Sequence, residues 1–187
     1  MTSHNLKIKR LFDIMLAFLG IVLLFIPLLL TYLGVSFSVQ SQGIFMQPRI
    51  GQFGRIFTIY KLKTIHPETG KISAFGRFLR KYKIDEFPQL WNVLIGDMSI
   101  VGPRPDIPGY YDKLEGEEQK ILELRPGITS EASIKYRNEE ELLAKQENPL
   151  EYNDKVIFPD KVKMNLEYYY KHSLIGDLKI MIKTFIK

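Results

Sequence analysis

The stretch IMLAFLGIVLLFIPLLLTYLGV, residues 14–35, contains 22 residues and no charged side chain. As a straight α-helix it would be about 33 Å long, which matches a bilayer hydrocarbon core of about 30 Å. A secretory signal is disfavoured, because the apolar core of such a signal is only about 7–15 residues long and no small-x-small cleavage site follows this stretch. The stretch therefore predicts a membrane helix near the N-terminus.

The course of this helix through the membrane depends on Pro27 and on the residues that flank the stretch. Basic residues occur on both sides, so the positive-inside rule favours two cytoplasmic ends. Pro27 lacks an N–H group and its ring would bend the helix. From these residues alone, a re-entrant hairpin broken at Pro27 and a Pro-kinked single span both remain open. The flanking basic residues are Lys7, Lys9, Arg10, Arg49, Arg55, Lys61 and Lys63.

The two halves of the chain differ in charge. The 187 residues include 26 Lys and Arg against 21 Asp and Glu, yet residues 1–84 carry a net charge of +10 and residues 85–187 carry −5. A basic half of this kind favours an anionic partner, such as lipid headgroups, a phosphorylated substrate or nucleic acid. The chain has no Cys and only three scattered His residues, which excludes disulfides, thiolate nucleophiles and the usual zinc sites. Any metal would therefore have oxygen ligands.

The remaining pattern predicts an α+β fold that is mostly helical. Residues 43–51 and 55–64 are rich in β-branched and aromatic side chains and predict a small β-hairpin. Residues 84–95 have helical periodicity, which predicts a helix that starts near Asp85, and residues 96–105 are expected to be irregular. A helix is also predicted for residues 108–124, and short helices for residues 129–160. We expect residues 1–36 to form the membrane-inserted part and residues 37–187 to form a domain outside the membrane.

Two amphipathic segments are expected to lie at the membrane surface. In one, Phe75, Phe78, Leu79 and Tyr82 share a helical face; covering a soluble core is an equally good interpretation of this helix. The other is the C-terminal stretch 177–187, in which lysines recur every four residues among apolar side chains, a pattern typical of helices in the headgroup plane. These lysines are Lys179, Lys183 and Lys187.

Asp85 and Glu86 form the best candidate for a catalytic centre. In the simplest interpretation Asp85 caps a helix and Glu86 interacts with the helix dipole, each contributing about 1 kcal/mol. The alternative is that a carboxylate beside bound phosphates acts as a nucleophile or a metal ligand. The second interpretation is favoured by nearby cations that suit phosphate, two of which are next to prolines. These cations include Arg77, Arg80, Lys81, Lys83, Arg104 and Arg125.

Residues 83–105, KIDEFPQLWNVLIGDMSIVGPRP, resemble the characteristic motif of the bacterial sugar transferase family, the monotopic phosphoglycosyl transferases. Four further motifs support the resemblance and follow in the expected order. The resemblance covers nearly the whole chain. The supporting motifs are residues 45–51 (FMQPRIG), 57–64 (FTIYKLKT), 125–129 (RPGIT) and 177–180 (DLKI).

This resemblance implies an enzyme that transfers a sugar 1-phosphate from a UDP-sugar to polyprenyl (undecaprenyl) phosphate, releases UMP and starts a lipid-linked glycan. It implies a covalent phosphosugar on Asp85, dependence on Mg²⁺, and a role for Glu86 in holding the metal or assisting the acceptor. The metal ligands would be Asp85 and Glu86. It also implies a re-entrant helix at Pro27 and a catalytic domain on the cytoplasmic face of the bacterial inner membrane. The phosphate-binding residues are predicted to be Lys61, Lys63, Arg80, Arg104 and Arg125.

The chain departs from the family pattern at three places, none of them in the Asp85-Glu86 pair. Ser130-Glu131 replaces Gly-Trp, Asn165 replaces a usual Asp, and Ile26 replaces a Ser before Pro27. A non-catalytic scaffold that binds anionic lipid is the main alternative function. Nucleic-acid binding is not expected, because the long apolar stretch argues against it. The sequence does not determine the sugar or the oligomeric state, and a homodimer is compatible with it.

Overall fold

A computed structural model describes residues 3–186, so the C-terminal Lys187 of the amphipathic pattern lies outside the described residues. It confirms the predicted α+β class with mostly helical content. The helices are Ser3–Val39 (α1), Ala74–Lys81 (α2), Gln89–Ile95 (α3), Glu131–Lys135 (α4), Glu139–Leu143 (α5), Pro149–Tyr152 (α6), Phe158–Lys171 (α7) and Leu174–Phe185 (α8), and the strands are Ile44–Ile50 (β1), Ile56–Leu62 (β2), Ser99–Val101 (β3) and Gly127–Thr129 (β4).

The long apolar stretch forms most of α1, a helix of 37 residues that is long and apolar enough to cross a membrane. Pro27 lies within α1, and the helix continues beyond it to Val39. Thr31 Oγ1 donates a hydrogen bond to the carbonyl oxygen of Pro27 at 2.6 Å, which gives that carbonyl a partner one turn later. The predicted break of the helix at Pro27 is therefore not confirmed, and the predicted domain boundary at residue 36 falls inside α1. The re-entrant course stays a prediction.

Both halves of α1 pack against the rest of the protein. Ala17 lies in an apolar cluster with Ile59 of β2, and Val35 lies in another cluster with Leu62 of the same strand. Two glycines allow close approach: a Cβ atom on Gly20 would come within 3.1 Å of the Leu90 side chain, and one on Gly34 within 3.1 Å of the Phe75 ring. Many large apolar side chains on the other faces of α1 are exposed, among them Phe18, Leu23, Phe25, Leu30 and Phe37.

The predicted hairpin is confirmed. Strands β1 and β2 are antiparallel, with Ile44 opposite Leu62 and Ile50 opposite Ile56. A short 3-10 turn, Gln52–Gly54, joins them. Ile59 and Leu62 of β2 are buried against α1, so the hairpin is fixed to the membrane helix through its second strand.

The helix predicted to start near Asp85 starts later. Asp85 and Glu86 lie in a one-turn 3-10 helix, Ile84–Glu86, and α3 begins only at Gln89. The reason lies at Lys83, whose backbone is left-handed (φ 57°) and turns the chain sharply after α2. Pro88 then precedes α3, where a missing N–H costs nothing. The prediction of a catalytic helix that starts near Asp85 is therefore not confirmed.

Two other predictions are corrected downstream. Residues 96–105 are not wholly irregular, because they contain β3. This strand pairs in parallel with β4, which lies later in the chain. Residues 108–124 form 3-10 turns, Tyr111–Lys113 and Gly116–Glu123, and not an α-helix. Gly109 and Gly116 both have positive φ angles, and such residues interrupt a helix. The short helices expected within residues 129–160 are present as α4, α5 and α6.

The two amphipathic segments are helical, as α2 and α8. In α2 the side chain of Leu79 is buried in the apolar cluster with Val35, while Phe78 and Tyr82 are half exposed. In α8, Ile180 is buried, whereas Ile182 and Phe185 are exposed. Each helix therefore packs one apolar residue inward and leaves others on the surface. Their position at a membrane surface stays a prediction.

Candidate active site

The Asp85-Glu86 pair is held in the turn between α2 and α3, next to β2. Both side chains are buried, with 9% of Asp85 and 6% of Glu86 exposed. The left-handed Lys83 directs the chain inward, and Pro88 and α3 carry it away again. Two adjacent acidic residues are seldom buried unless something compensates their charge, so the neighbours of each carboxylate decide what the pair can do.

Glu86 is bound by two cations. Lys61 Nζ lies 3.0 Å from Glu86 Oε1, and Arg104 donates to both carboxylate oxygens, Nη2 to Oε1 at 2.6 Å and Nη1 to Oε2 at 3.4 Å. Burial alone would raise the pKa of Glu86, but the charges of Arg104 and Lys61 outweigh it and hold that pKa well below its ordinary value. In turn the Glu86 carboxylate raises the pKa of Arg104. Glu86 is thus a permanent anion that fixes two cations.

Asp85 has the opposite environment. Its Oδ1 atom is buried and finds no hydrogen-bond partner among residues 3–186. Burial, and then the neighbouring charge of Glu86, raise the pKa of Asp85, while the charges of Lys61, Lys83 and Arg80 act in the other direction. A buried carboxylate oxygen without a hydrogen-bond partner costs about 1–3 kcal/mol. Such a group is unfavourable for stability, but it is more basic and more nucleophilic than an exposed aspartate.

The structure brings three of the five predicted phosphate-binding cations to the Asp85-Glu86 pair. Lys61 and Arg104 contact Glu86 directly, and Arg80 is close enough to act on the charge of Asp85. Arg80 also forms an ion pair with Glu140 of α5. Three cations around one turn can offset the charge of a diphosphate substrate.

The other two predicted cations point elsewhere. Lys63 follows the end of β2, and its Nζ atom lies 3.4 Å from Ser41 Oγ. The Nε atom of Arg125 donates to the carbonyl oxygen of Gly96 at 3.0 Å, beyond the far end of α3 from Asp85. Arg125 therefore forms a hydrogen bond with the carbonyl group at the C-terminal end of α3, a role that its position in the sequence does not predict.

Sequence reasoning missed two residues that organise this site. Arg49 on β1 pairs with Asp106, with Nη1 and Oδ1 3.6 Å apart, and the charges of Arg104 and Glu86 act on its guanidinium. The wholly buried Asn92 accepts a hydrogen bond from the Tyr60 N–H at 3.2 Å and donates to the Thr58 carbonyl at 2.7 Å. Both residues lie inside the motifs that carry the resemblance, but Arg49 was considered only as a basic residue that flanks the apolar stretch, and Asn92 was given no role.

The carboxylates of the pair fit Mg²⁺ only in a shared site. In the described part of the chain, no three His, Cys, Asp or Glu side chains are grouped so as to hold a metal ion. Mg²⁺, however, commonly binds through one or two carboxylates together with water and substrate phosphates. The unpartnered Oδ1 of Asp85 and the weakly paired Oε2 of Glu86 are compatible with such an ion. These residues therefore fit the predicted metal.

One known protein family matches nearly the whole chain. The model of the family described as "Bacterial sugar transferase" matches residues 4–187 of this chain. The match thus includes α1, the hairpin, the Asp85-Glu86 turn and α8.

Several curated proteins are similar over most of this chain. The uncharacterized sugar transferase EpsL of Bacillus subtilis is 32% identical over 190 residues, which cover 96% of this chain and 86% of EpsL. A UDP-glucose:undecaprenyl-phosphate glucose-1-phosphate transferase of Caulobacter vibrioides is 33% identical over 94% of this chain and 67% of that protein. An Escherichia coli protein of the same name is 32% identical and matches all of this chain, which spans 41% of its length.

Proposed function

The chain belongs to the bacterial sugar transferase family, and we propose that it transfers a sugar 1-phosphate from a UDP-sugar to polyprenyl phosphate, with release of UMP. The names of two relatives, which specify UDP-glucose and undecaprenyl phosphate, support this class of reaction. The observation that carries the proposal is the contrast within the Asp85-Glu86 pair: one carboxylate is bound by two cations, and the other has an oxygen without a partner.

Asp85 acts as the nucleophile in the first step. A carboxylate oxygen of Asp85 forms a bond to the phosphorus that carries the sugar, and the bond from that phosphorus to the bridging oxygen breaks. UMP leaves with the electron pair of the broken bond. In the second step an oxygen of polyprenyl phosphate attacks the same phosphorus, and the bond to Asp85 breaks. The product is polyprenyl-diphosphate-sugar, and Asp85 returns to its carboxylate form.

The neighbouring residues offset the charge that this reaction brings together. Lys61 and Arg104 are held by Glu86, so they are already in place when a diphosphate arrives. Arg80 lies near Asp85 but is engaged by Glu140, and we expect it to exchange that partner for phosphate. Asp85 and Glu86 would hold Mg²⁺, which when bound offsets further phosphate charge.

The packing of α1 supports a membrane location with the catalytic residues on one side. Ala17 and Val35, near the two ends of the apolar stretch, lie in apolar clusters that include Ile59 and Leu62 of β2. Both ends of the stretch therefore pack on the same domain, as a re-entrant segment requires. We propose that the domain faces the cytoplasm from the bacterial inner membrane.

A non-catalytic scaffold that binds anionic lipid is not favoured. Such a scaffold would need exposed cations and apolar helices, and α2 and α8 provide both. It would have no use for a buried carboxylate oxygen without a partner, which lowers stability.

The test measures UMP and the covalent adduct separately. The full chain in detergent is incubated with a panel of UDP-sugars, Mg²⁺ and polyprenyl phosphate, and UMP release is measured. We expect turnover with at least one UDP-sugar, and its loss without acceptor or with a chelator. Without acceptor, mass spectrometry of the intact protein should detect one phosphosugar, located by peptide mapping to Asp85. Turnover without any adduct would overturn the two-step route, and no turnover with any UDP-sugar would overturn the function.

A further inference from the structure

An apolar groove lies between α1, the hairpin and the segment that follows the Asp85-Glu86 pair. Its volume is about 460 Å³, within the range of about 300–1,000 Å³ typical of ligand sites. Most of the side chains that form it are apolar, and Tyr60 and Gln42 are the polar exceptions. The lining residues are Ile21, Leu28, Gln42, Ile44, Met46, Tyr60, Phe87, Pro88 and Trp91.

One wall of the groove is continuous with the catalytic turn. Phe87 and Pro88 directly follow Glu86 in the chain. Tyr60 directly precedes Lys61, whose Nζ atom lies 3.0 Å from Glu86 Oε1. The groove therefore lies next to the turn that carries the Asp85-Glu86 pair.

The opposite wall is the membrane helix. Ile21 and Leu28 are seven residues apart, so they lie on one face of α1 two turns from each other. The other faces of this part of α1 expose large apolar side chains, such as Leu23, Phe25 and Leu30. A hydrocarbon chain could pass from a lipid layer around α1 into the groove without crossing a charged surface.

We propose that this groove binds the isoprene units nearest the phosphate of the polyprenyl acceptor, and thereby places that phosphate beside Asp85. The ligand that complements the groove is an amphiphile with a long hydrocarbon tail and one anionic end. The tail contacts the apolar side chains, and the phosphate reaches Lys61 and Arg104. This inference rests on the proposed function for the identity of the acceptor, and it assigns the residues that recognise the acceptor's tail.

Trp91 makes the proposal testable without turnover. It is the only tryptophan of the chain, and its half-exposed side chain lines the groove. The full chain is placed in nanodiscs of brominated phosphatidylcholine, which quenches tryptophan fluorescence on contact, and polyprenyl phosphate is added. We expect a saturable recovery of Trp91 fluorescence at low mole fractions of polyprenyl phosphate.

Two competitors identify what the groove recognises. Phosphatidic acid has an anionic head on straight acyl chains, and uncharged polyprenol has the tail without the phosphate. Both should restore much less fluorescence than polyprenyl phosphate at the same mole fraction. Equal recovery with phosphatidic acid would mean a groove for ordinary lipid and would overturn the proposal, as would no recovery with polyprenyl phosphate.

A pair of variants connects the groove with acceptor use. Leu28→Phe narrows the groove, and Leu30→Phe adds the same bulk on an exposed face of α1. We expect Leu28→Phe to raise the KM for polyprenyl phosphate by about tenfold with little change in the KM for the UDP-sugar, and Leu30→Phe to match the wild type. Identical acceptor KM values in the two variants would overturn the role of the groove. Absence of UMP release in every protein would instead contradict the proposed function, while the fluorescence result would still decide the proposal on the groove.

Discussion

The protein buries two pairs of acidic residues, and their surroundings differ sharply. Asp13 of α1 and Asp177 of α8 form one pair, and all four of their carboxylate oxygens have partners. Asp13 accepts hydrogen bonds from Ser99 Oγ at 2.8 Å and from the Ile100 N–H at 3.1 Å. Asp177 accepts one from Tyr168 at 2.7 Å, and its other oxygen lies 2.6 Å from Lys9 Nζ.

The second pair, Asp85 and Glu86, is only half satisfied. Glu86 is bound by Lys61 and Arg104, whereas Asp85 Oδ1 lacks a partner in the described part of the chain. A fully paired buried carboxylate fixes structure, because its loss leaves its partners buried and unpaired. A carboxylate without a partner contributes nothing of this kind and is available for chemistry. The first pair ties α1 to β3 and α8, and the second is where we place the reaction.

The largest effect should separate activity from stability at Asp85. We expect Asp85→Asn to lower product formation by at least about a thousandfold, the scale of losing a nucleophile, without lowering the melting temperature. UMP release and a thermal unfolding curve on the same preparation measure the two effects. The reason is that Asn has the shape of Asp but cannot form the covalent phosphosugar. Wild-type rates from Asp85→Asn would contradict the mechanism.

The opposite result is expected at Asp177. Asp177→Asn should lower the free energy of unfolding by about 1–3 kcal/mol, because buried Lys9 then loses its nearest anion and keeps only the carboxylate of Asp13, 3.9 Å away. Thermal or denaturant unfolding in detergent measures the loss. Glu117→Gln is the matched control, since Glu117 forms an exposed pair with Lys120 and such pairs contribute little to stability. Equal stability of the two variants would mean that the first pair does not hold the structure together.

The sequence predicts an acidic pair only when its two residues lie close together in the chain. Asp85 and Glu86 are adjacent and lie within a motif, so they were identified as the candidate centre without a structure. Asp13 and Asp177 belong to opposite ends of the chain, and neither residue indicates the other. Among the cations predicted to bind phosphate, Arg104 contacts Glu86, whereas Arg125 donates to the carbonyl oxygen of Gly96, and the phosphate-binding roles of both stay predictions.

The fold shows the same limit. The hairpin and the long apolar helix follow local patterns, and both were predicted correctly. The parallel pairing of β3 with β4 joins segments of three residues each, which are too short to give a periodic signal. The 3-10 turn at Asp85 depends on the left-handed backbone of Lys83, a conformation that is uncommon for lysine and that its side chain does not predict.

Variants of Asn92 test whether the position of Lys61 depends on the hydrogen bonds that Asn92 forms with β2. Its side chain forms hydrogen bonds with two backbone groups of β2, as a neighbouring strand would: it donates to the Thr58 carbonyl and accepts from the Tyr60 N–H. Asn92→Leu keeps a similar volume but leaves these two backbone groups unpaired, so we expect a loss of about 1–3 kcal/mol in stability. If Lys61 shifts with β2, the KM for the UDP-sugar should also rise. Asn92→Asp keeps the acceptor for the Tyr60 N–H, so we expect it to lose less stability than Asn92→Leu. An unchanged KM for the UDP-sugar in Asn92→Leu would show that the position of Lys61 does not depend on Asn92.

The smallest predicted effect is a pH-dependent gain in stability of Asp85→Asn. Burial and the charge of Glu86 raise the pKa of Asp85 above its ordinary 3.8, so the folded protein binds this proton more tightly than the unfolded chain does. The free energy of unfolding therefore falls as pH rises from the ordinary pKa through the raised one, and the loss persists at neutral pH. Glu86 acts in the opposite sense. Because its pKa is lowered in the folded protein, it contributes stability above its ordinary pKa of 4.5, and this stability is lost in acid. Glu86 is present in the wild type and in Asp85→Asn, so it does not contribute to the difference between them.

Asp85→Asn removes only the unfavourable contribution. We expect its melting temperature at neutral pH to exceed that of the wild type by about 2–4 °C, the shift that about 1 kcal/mol produces in a protein of this size. The difference should shrink as pH falls and Asp85 of the wild type takes up its proton. The first acidic pair gives the contrast, since Asp177→Asn should lower the melting temperature at neutral pH. A melting temperature of Asp85→Asn below that of the wild type at neutral pH would mean that Asp85 is paired after all, and the distinction between the two pairs would fail.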